Sequence, residues 1–235
     1  TVCSAYEYSV IPLFILMGMV VFNSGIATSI YDSMYRWFGR LAGGLMIATT
    51  LAASVFGAAS GSSLAAAVTF AKISVPEMVR LKYHTGLACG AVAAAGTLSA
   101  LVPPSALLVI YAICTEQSVG KCLMAGLLPG VLSCLLFALM VFSLATWKPS
   151  LLPRGPSFST KEKMTSLRGT WPIPLIAAIV LGGIYFGFMT PTEAAGFGAF
   201  AAIVVAVVVA GPKKMKLWEA LTNTVSSAAM IFLIL

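Results

Sequence analysis

The feature that most constrains this chain is a succession of long apolar runs with almost no charge inside them, separated by short basic segments. Only 9% of residues are Asp, Glu, Lys or Arg, against 60% in the hydrophobic set. A soluble domain needs about a quarter of its residues charged to keep its surface wet. This chain cannot build that surface, so its exterior must face lipid. Crossing a hydrocarbon core about 30 Å thick takes roughly 20 helical residues, and stretches such as Cys122–Trp147 and Trp171–Met189 are long enough. Strands of a membrane barrel would alternate apolar and polar residues, whereas these runs are continuous. An all-α, polytopic membrane protein follows.

The net charge of +7 sits in loops. Its basic residues are not interleaved with aromatics as a nucleic-acid stacking platform requires, and the positive-inside rule accounts for them better. Cys3, Cys89, Cys114, Cys122 and Cys134 show neither CxxC nor metal-ligand spacing and read as small hydrophobes. Thr1 is not an initiator Met, no charged n-region precedes the first run, and the sequence stops within an apolar run at Leu235. Both ends are therefore expected to be cut from a longer protein, with no signal peptide visible.

Loop charge predicts a topology. Apolar segments fall near 9–30, 41–71, 85–114, 122–146, 171–189, 194–211 and 219–235. Basic residues separate most of them: Arg36 and Arg40; Lys72, Arg80 and Lys82; Lys148 to Arg168; Lys213, Lys214 and Lys216. The connections at Glu116–Lys121 and Thr190–Glu193 are nearly balanced. With every basic loop in the cytoplasm, segment 41–71 has both ends on one side. It is too long for one straight crossing and too short for two. A re-entrant helical hairpin satisfies both facts, leaving about six transmembrane helices around it. The centre, Ser54 to Ala67, holds the Gly and Ser residues a tight turn needs. Inside segment 85–114, the run Gly96-Thr97-Leu98-Ser99-Ala100-Leu101-Val102-Pro103-Pro104-Ser105 carries two prolines that remove backbone donors and disfavour helix at Pro103. A broken helix is expected there. Small-residue helix packing and a simple proline kink are the plainer alternatives for these two features.

Chemistry is scarce. His84 sits in a basic loop, and no acid lies deep in an apolar run. Glu193 fits a capping box with Thr190 as N-cap and Pro191 at N1, and Ser74-Val75-Pro76-Glu77 repeats the pattern at an expected short loop helix. Proton relays, HExxH proteases and P-loop pumps need residues this chain lacks, so an enzyme is not expected. Carbonyls and hydroxyls at two helix breaks remain, which can hold Na⁺, and half-helix N-termini, which favour a carboxylate.

Phe56-Gly57-Ala58-Ala59-Ser60-Gly61-Ser62-Ser63, Val75-Pro76-Glu77-Met78, Gly96-Thr97-Leu98 and Val102-Pro103-Pro104-Ser105 with Val109-Ile110-Tyr111 resemble the large membrane subunit of TRAP (tripartite ATP-independent periplasmic) transporters. Ile11-Pro12-Leu13-Phe14-Ile15-Leu16-Met17-Gly18, Ala125-Gly126-Leu127-Leu128-Pro129-Gly130 and Thr190-Pro191-Thr192-Glu193-Ala194-Ala195 fit the same pattern, in the same order. The resemblance implies a sodium-coupled, elevator-type importer built from inverted repeats in the bacterial inner membrane. It further implies a small membrane subunit and a periplasmic substrate-binding protein as partners, and carboxylates such as C4-dicarboxylates or sialic acids as substrates. Residues 1–146 would form the first-repeat portion, 147–170 the cytoplasmic linker and 171–235 the start of the second repeat. Ser60, Gly61, Ser62, Ser63, Gly96, Thr97, Pro103, Pro104 and Ser105 would supply half of the sodium and substrate site. The family's first spans and most of its second repeat are expected to be missing, and Ala106-Leu107-Leu108 stands where the pattern has Ile-Pro-Leu. A dicarboxylate- or citrate-type carrier working without a binding protein, and a structural subunit whose small-residue turns only pack helices, are the competing readings.

Overall fold

The computed structural model describes residues 6–211 and 216–234. Cys3, Lys213, Lys214 and Leu235 therefore lie outside the described residues. Regular structure among the described residues is helical throughout: α1 Val10–Asn23, α2 Ile26–Phe38, α3 Gly44–Ser60, α4 Ser63–Arg80, α5 Thr85–Ser99, α6 Ala106–Cys114, α7 Val119–Trp147, α8 Thr160–Ser166, α9 Pro172–Tyr185, α10 Pro191–Ala210 and α11 Leu217–Ile234. By length and apolarity α7 and α10 can each cross a membrane, with mean hydropathies of 2.4 and 2.2. The count of such spans rises to four if the bent pairs α1–α2 (68°) and Thr160–Gly169 with α9 (54°) each make one.

Segment 41–71 does fold back on itself. Helices α3 and α4 run to and from a two-residue turn at Gly61-Ser62. Gly61 takes φ +60°, the left-handed geometry open to glycine, and its N–H donates to the Gly57 carbonyl at 2.8 Å. Ser62 caps the returning helix by accepting the Ala65 N–H at 3.2 Å. Phe56 and Phe70, both fully buried, meet edge to face across the arms with ring centroids 5.8 Å apart, a contact adding about 0.5–1.5 kcal/mol beyond burial. The proline-containing segment breaks as expected, with α5 ending at Ser99, α6 starting at Ala106, and a cis peptide bond between Pro103 and Pro104.

Small residues set how closely these pieces approach, as is usual where helices pack without water to drive them. A Cβ on Gly57 would overlap the Ser99 backbone, and one on Gly96 would lie 2.8 Å from the Ala67 methyl. Helix α5 is thus seated in the groove between the hairpin arms. In α7, Gly126 and Gly130 make room for the Leu101 carbonyl of the break, which would stand 3.0 and 3.2 Å from added Cβ atoms. Cys134 of α7 donates its thiol to Ser54 Oγ of α3 at 3.0 Å, so this cysteine packs in the core. Cys89 and Cys114 are instead exposed on the helix exterior.

The loops sort by charge. At one end Gly155 donates its N–H to the Gly39 carbonyl (2.9 Å), His84 to that of Leu151 (3.1 Å), and Arg36 stacks on Phe158. Three basic connections therefore meet there. The Tyr83 hydroxyl, buried beneath them beside the Leu45 N–H, is pushed up to about 12, chiefly by loss of water. Elsewhere Glu116, Gln117 and Ser118 line one depression of about 760 Å³ with Thr190, Pro191 and Thr192, joining the two near-neutral connections.

Three sequence expectations need correction. Segment 9–30 is not one run: Ser24 turns its hydroxyl onto the Val21 carbonyl (2.6 Å), Gly25 takes φ +75°, and the chain bends by 68° into α2. Ser74-Val75-Pro76-Glu77 starts no helix, because α4 continues through Pro76 to Arg80. A proline inside a helix costs about 3 kcal/mol, but Phe70, Ser74 and Met78 around it are fully buried and hold the helix in register. Ser74 donates to the Phe70 carbonyl (2.6 Å) and Glu77 pairs with Arg80. Lys72 therefore lies within α4, and Lys121 lies within the first turn of α7, which starts at Val119; neither is in a loop.

Candidate functional site

The hairpin tip and the helix break come together. The Ala106 N–H, first of α6, donates to the Gly61 carbonyl at 3.3 Å. A Cβ on Gly61 would approach that nitrogen at 3.3 Å and the Pro104 carbonyl at 3.5 Å. Three helix ends therefore converge: the C-terminus of α3 and the N-termini of α4 and α6. A helix C-terminus presents carbonyls and a partial negative charge, an N-terminus N–H groups and a partial positive one. One small region thus offers adjacent places for a cation and an anion.

Beside this junction lies a cavity of about 160 Å³, well above the 10–15 Å³ or so that a single water needs. Ser60, Gly61, Ser62 and Ser63 form its tip wall, Ala106, Leu107 and Ile110 its α6 wall, and Ile15, Gly18 and Met19 its α1 wall. Ser227 and Ile231 of α11 close it. Helix α1 comes very near: a Cβ on Gly18 would overlap the Ser60 carbonyl. The glycine was legible as part of a motif, but its role against the tip depends on tertiary packing. No local signal marks Ser227.

Four buried hydroxyls lack a hydrogen-bond partner among the described residues, those of Tyr31, Ser60, Thr69 and Ser105, and two of them lie at this junction. Thr49, Thr50 and Ser54, buried along α3, each donate to the carbonyl four residues back at 2.8–3.0 Å. Ser60 and Ser105, 2% and 0% exposed, have side-chain oxygens with no hydrogen-bond partner. Leaving a buried hydroxyl unpaired costs about 1–3 kcal/mol, and such groups are few in folded proteins. They lie on the two sides of the Gly61–Ala106 contact, one at the last residue of α3 and one at the N-cap of α6. Oxygen ligands of this kind suit a hard cation; among the described residues no group of three or more His, Cys, Asp or Glu gathers.

The structure does not unite every expected site residue. Gly96 is buried against α4, where it permits close packing. Thr97 is exposed and donates to the Ala94 carbonyl at 2.7 Å, one helical step away from the face that Gly96 presents. Pro103 faces a separate depression with Met124, Leu127, Leu181 and Tyr185. Pro104 contributes its carbonyl near Gly61, and Ser105 its unpaired hydroxyl.

A helical hairpin meeting a broken helix at small and hydroxyl residues is an arrangement that a class of membrane transport proteins uses. The chain belongs to the family of the DctM component of tripartite ATP-independent periplasmic transporters, whose model matches residues 1–235. It is 40% identical over 205 residues to the C4-dicarboxylate TRAP transporter large permease protein of Pseudomonas aeruginosa, covering 87% of this chain and 47% of that protein. It is 34% identical over 224 residues to the sialic acid TRAP transporter large permease protein of Vibrio cholerae (95% and 52%). With the ectoine TRAP transporter large permease protein of Halomonas elongata it shares 29% over 200 residues (85% and 46%). The chain spans about half the length of the curated relatives it matches.

Proposed function

We propose that this chain is part of the large permease subunit of a sodium-coupled importer of an organic acid. Its substrate is a C4-dicarboxylate or a sialic-acid-like carboxylate, the classes named for two of its relatives. A periplasmic binding protein delivers the substrate and a small membrane subunit completes the complex. About six helices cross the bacterial inner membrane, and the α3–α4 hairpin enters and leaves on the basic-loop side. Residues 1–146 form the first-repeat portion, 147–170 the cytoplasmic linker and 171–235 the start of the second repeat of an elevator-type fold.

The observation that carries this reading is the pair of unpaired buried hydroxyls, Ser60 and Ser105, at the Gly61–Ala106 junction. Na⁺ takes these oxygens together with carbonyls at the end of α3, losing its water shell to fixed dipoles. The substrate carboxylate lies toward the N-termini of α4 and α6, where N–H groups and helix dipoles favour negative charge. The neighbouring cation lowers the cost of bringing that anion in, and the reverse holds equally, because coupling between two bound ligands is reciprocal. Moving hairpin and break as one body carries both ligands.

The test is uptake of a labelled dicarboxylate or sialic acid by the full complex in proteoliposomes. Uptake requires an inward sodium gradient and the binding protein. Undiminished uptake without the gradient sinks the coupling; uptake without the binding protein points to a stand-alone carrier instead.

A further inference from the structure

The linker ahead of α9 is a docked structure with one free face. Helix α8 and the 3₁₀ turn Leu167–Gly169 form a short helical run that leaves the α9 axis at 54°. Helix α2 takes one side of it. Trp37 Nε1 donates to the Lys163 carbonyl at 3.2 Å and Ser33 Oγ to the Ser166 carbonyl at 2.7 Å. Thr170, next on that side by helical period, is buried. The opposite side, at the same period, presents Lys161, Met164 and Arg168, with Trp171 one turn beyond. All four are exposed, Met164 at 58% and Trp171 at 43%.

Charge on this face is not neutralised locally. Residues 148–170 hold five basic side chains and one acid, Glu162. That carboxylate is engaged in the α8 capping box, accepting the Ser159 N–H at 2.7 Å. Neither Lys161 nor Arg168 makes an ion pair among the described residues. Met and Trp aligned with two unpaired cations on one helical face make the pattern of a helix lying in a headgroup layer. Helix α9 begins at Pro172, directly after this run, so the face stays within a turn or two of the bilayer surface.

We propose that the Lys161–Met164–Arg168–Trp171 face is a seat for anionic phospholipids of the leaflet on the basic-loop side. Met164 and Trp171 enter the acyl boundary, and Lys161 and Arg168 hold headgroup phosphates. The inference rests on α9 being a membrane segment of the permease, and not on sodium coupling or on any substrate.

Hydrogen exchange of the 160–169 amides tests it, with the full-length subunit in nanodiscs of phosphatidylcholine alone or mixed with phosphatidylglycerol. Exchange slows on the order of tenfold in the mixed nanodiscs, since each basic residue near an anionic surface adds about 1 kcal/mol. The double variant Lys161→Gln/Arg168→Gln removes this dependence while α2 keeps its wild-type exchange, which shows that the linker is still docked. On the wild type, raising ionic strength from about 0.1 to 1 M shortens the screening length from about 10 to about 3 Å and erases the difference. Equal exchange in both lipids overturns the proposal, as it would if a protein partner covered the face. So does a difference that survives high salt. Loss of uptake in proteoliposomes would instead strike at the permease reading and leave this result standing.

Discussion

Two helices in this chain begin at Ser or Thr beside a proline, and they are built in opposite ways. At the start of α10, Thr190 and Glu193 close a full capping box: the Thr190 N–H and hydroxyl both donate to Glu193 Oε2 (2.8 and 2.9 Å), and the Glu193 N–H donates to Thr190 Oγ1 (3.3 Å). At the start of α6, Ser105 makes no side-chain cap bond, its hydroxyl is unpaired, and the first N–H of the helix goes to another element, the Gly61 carbonyl. The first terminus is finished locally and exposed. The second is buried and left open. A helix end that satisfies itself stabilises the fold, while one held open leaves polar groups without a local partner; under the function proposed above those groups take the ligand.

That contrast can be broken most severely from outside. Gly18→Val drives a branched side chain into the Ser60 carbonyl. Overpacking costs about 1–3 kcal/mol, and the tip must shift to relieve it. Uptake by the full complex is expected to fall on the order of a hundredfold, with insertion into membranes unchanged on immunoblots of the membrane fraction. Replacing Ser62 or Pro104 by a bulky residue is expected to abolish uptake with the same preserved insertion. Wild-type uptake by these variants would detach the tip and the break from function.

Ser105→Ala and Ser60→Ala sharpen the comparison. A hydroxyl oxygen that turns its lone pair to a cation contributes about as much as a hydrogen bond to a charged group, about 1.5–3 kcal/mol, so the apparent sodium affinity drops roughly tenfold or more. Removing an unpaired buried hydroxyl costs the empty protein nothing, so thermal stability measured without sodium stays level or rises. Thr190→Ala shows the reverse signature. It loses a satisfied cap, about 1 kcal/mol of stability, and leaves sodium affinity alone. If both serine variants melted early with unaltered sodium dependence, the two helix starts would differ in packing only. Trp37→Phe has the smallest effect. It removes one bond to the Lys163 carbonyl, about 0.5–1.5 kcal/mol, and is expected to raise exchange in residues 160–169 without changing uptake.

What the sequence made legible was backbone chemistry. The turn at Gly61-Ser62, the break around Pro103-Pro104 and the Thr190–Glu193 cap each follow from what a glycine, a proline or a capping pair does to its own neighbours. Tertiary contacts were not legible in the same way. Pro76 reads as a helix start, yet packing of Phe70 and Met78 carries the helix through it. Thr97 enters the expected site through the Gly96-Thr97-Leu98 motif of the resemblance, and its exposure, one helical step from the buried Gly96, is a fact of tertiary packing that the motif does not carry. The α1–α2 bend hides in an apolar run with a single glycine at the corner. Gly18 and Ser227 reach the cavity only because α1 and α11 pack beside the hairpin.

The notch that Gly126 and Gly130 cut into α7 receives the Leu101 carbonyl, and nothing larger than a hydrogen separates it from the helix backbone there. A peptide group seated so closely can pivot in place, but sliding along α7 brings it against Leu123 or Cys134, the next buried side chains along that face. The notch therefore acts as a bearing with one fixed depth. Whatever motion the broken helix undergoes, α7 either travels with it or serves as the axle on which it turns.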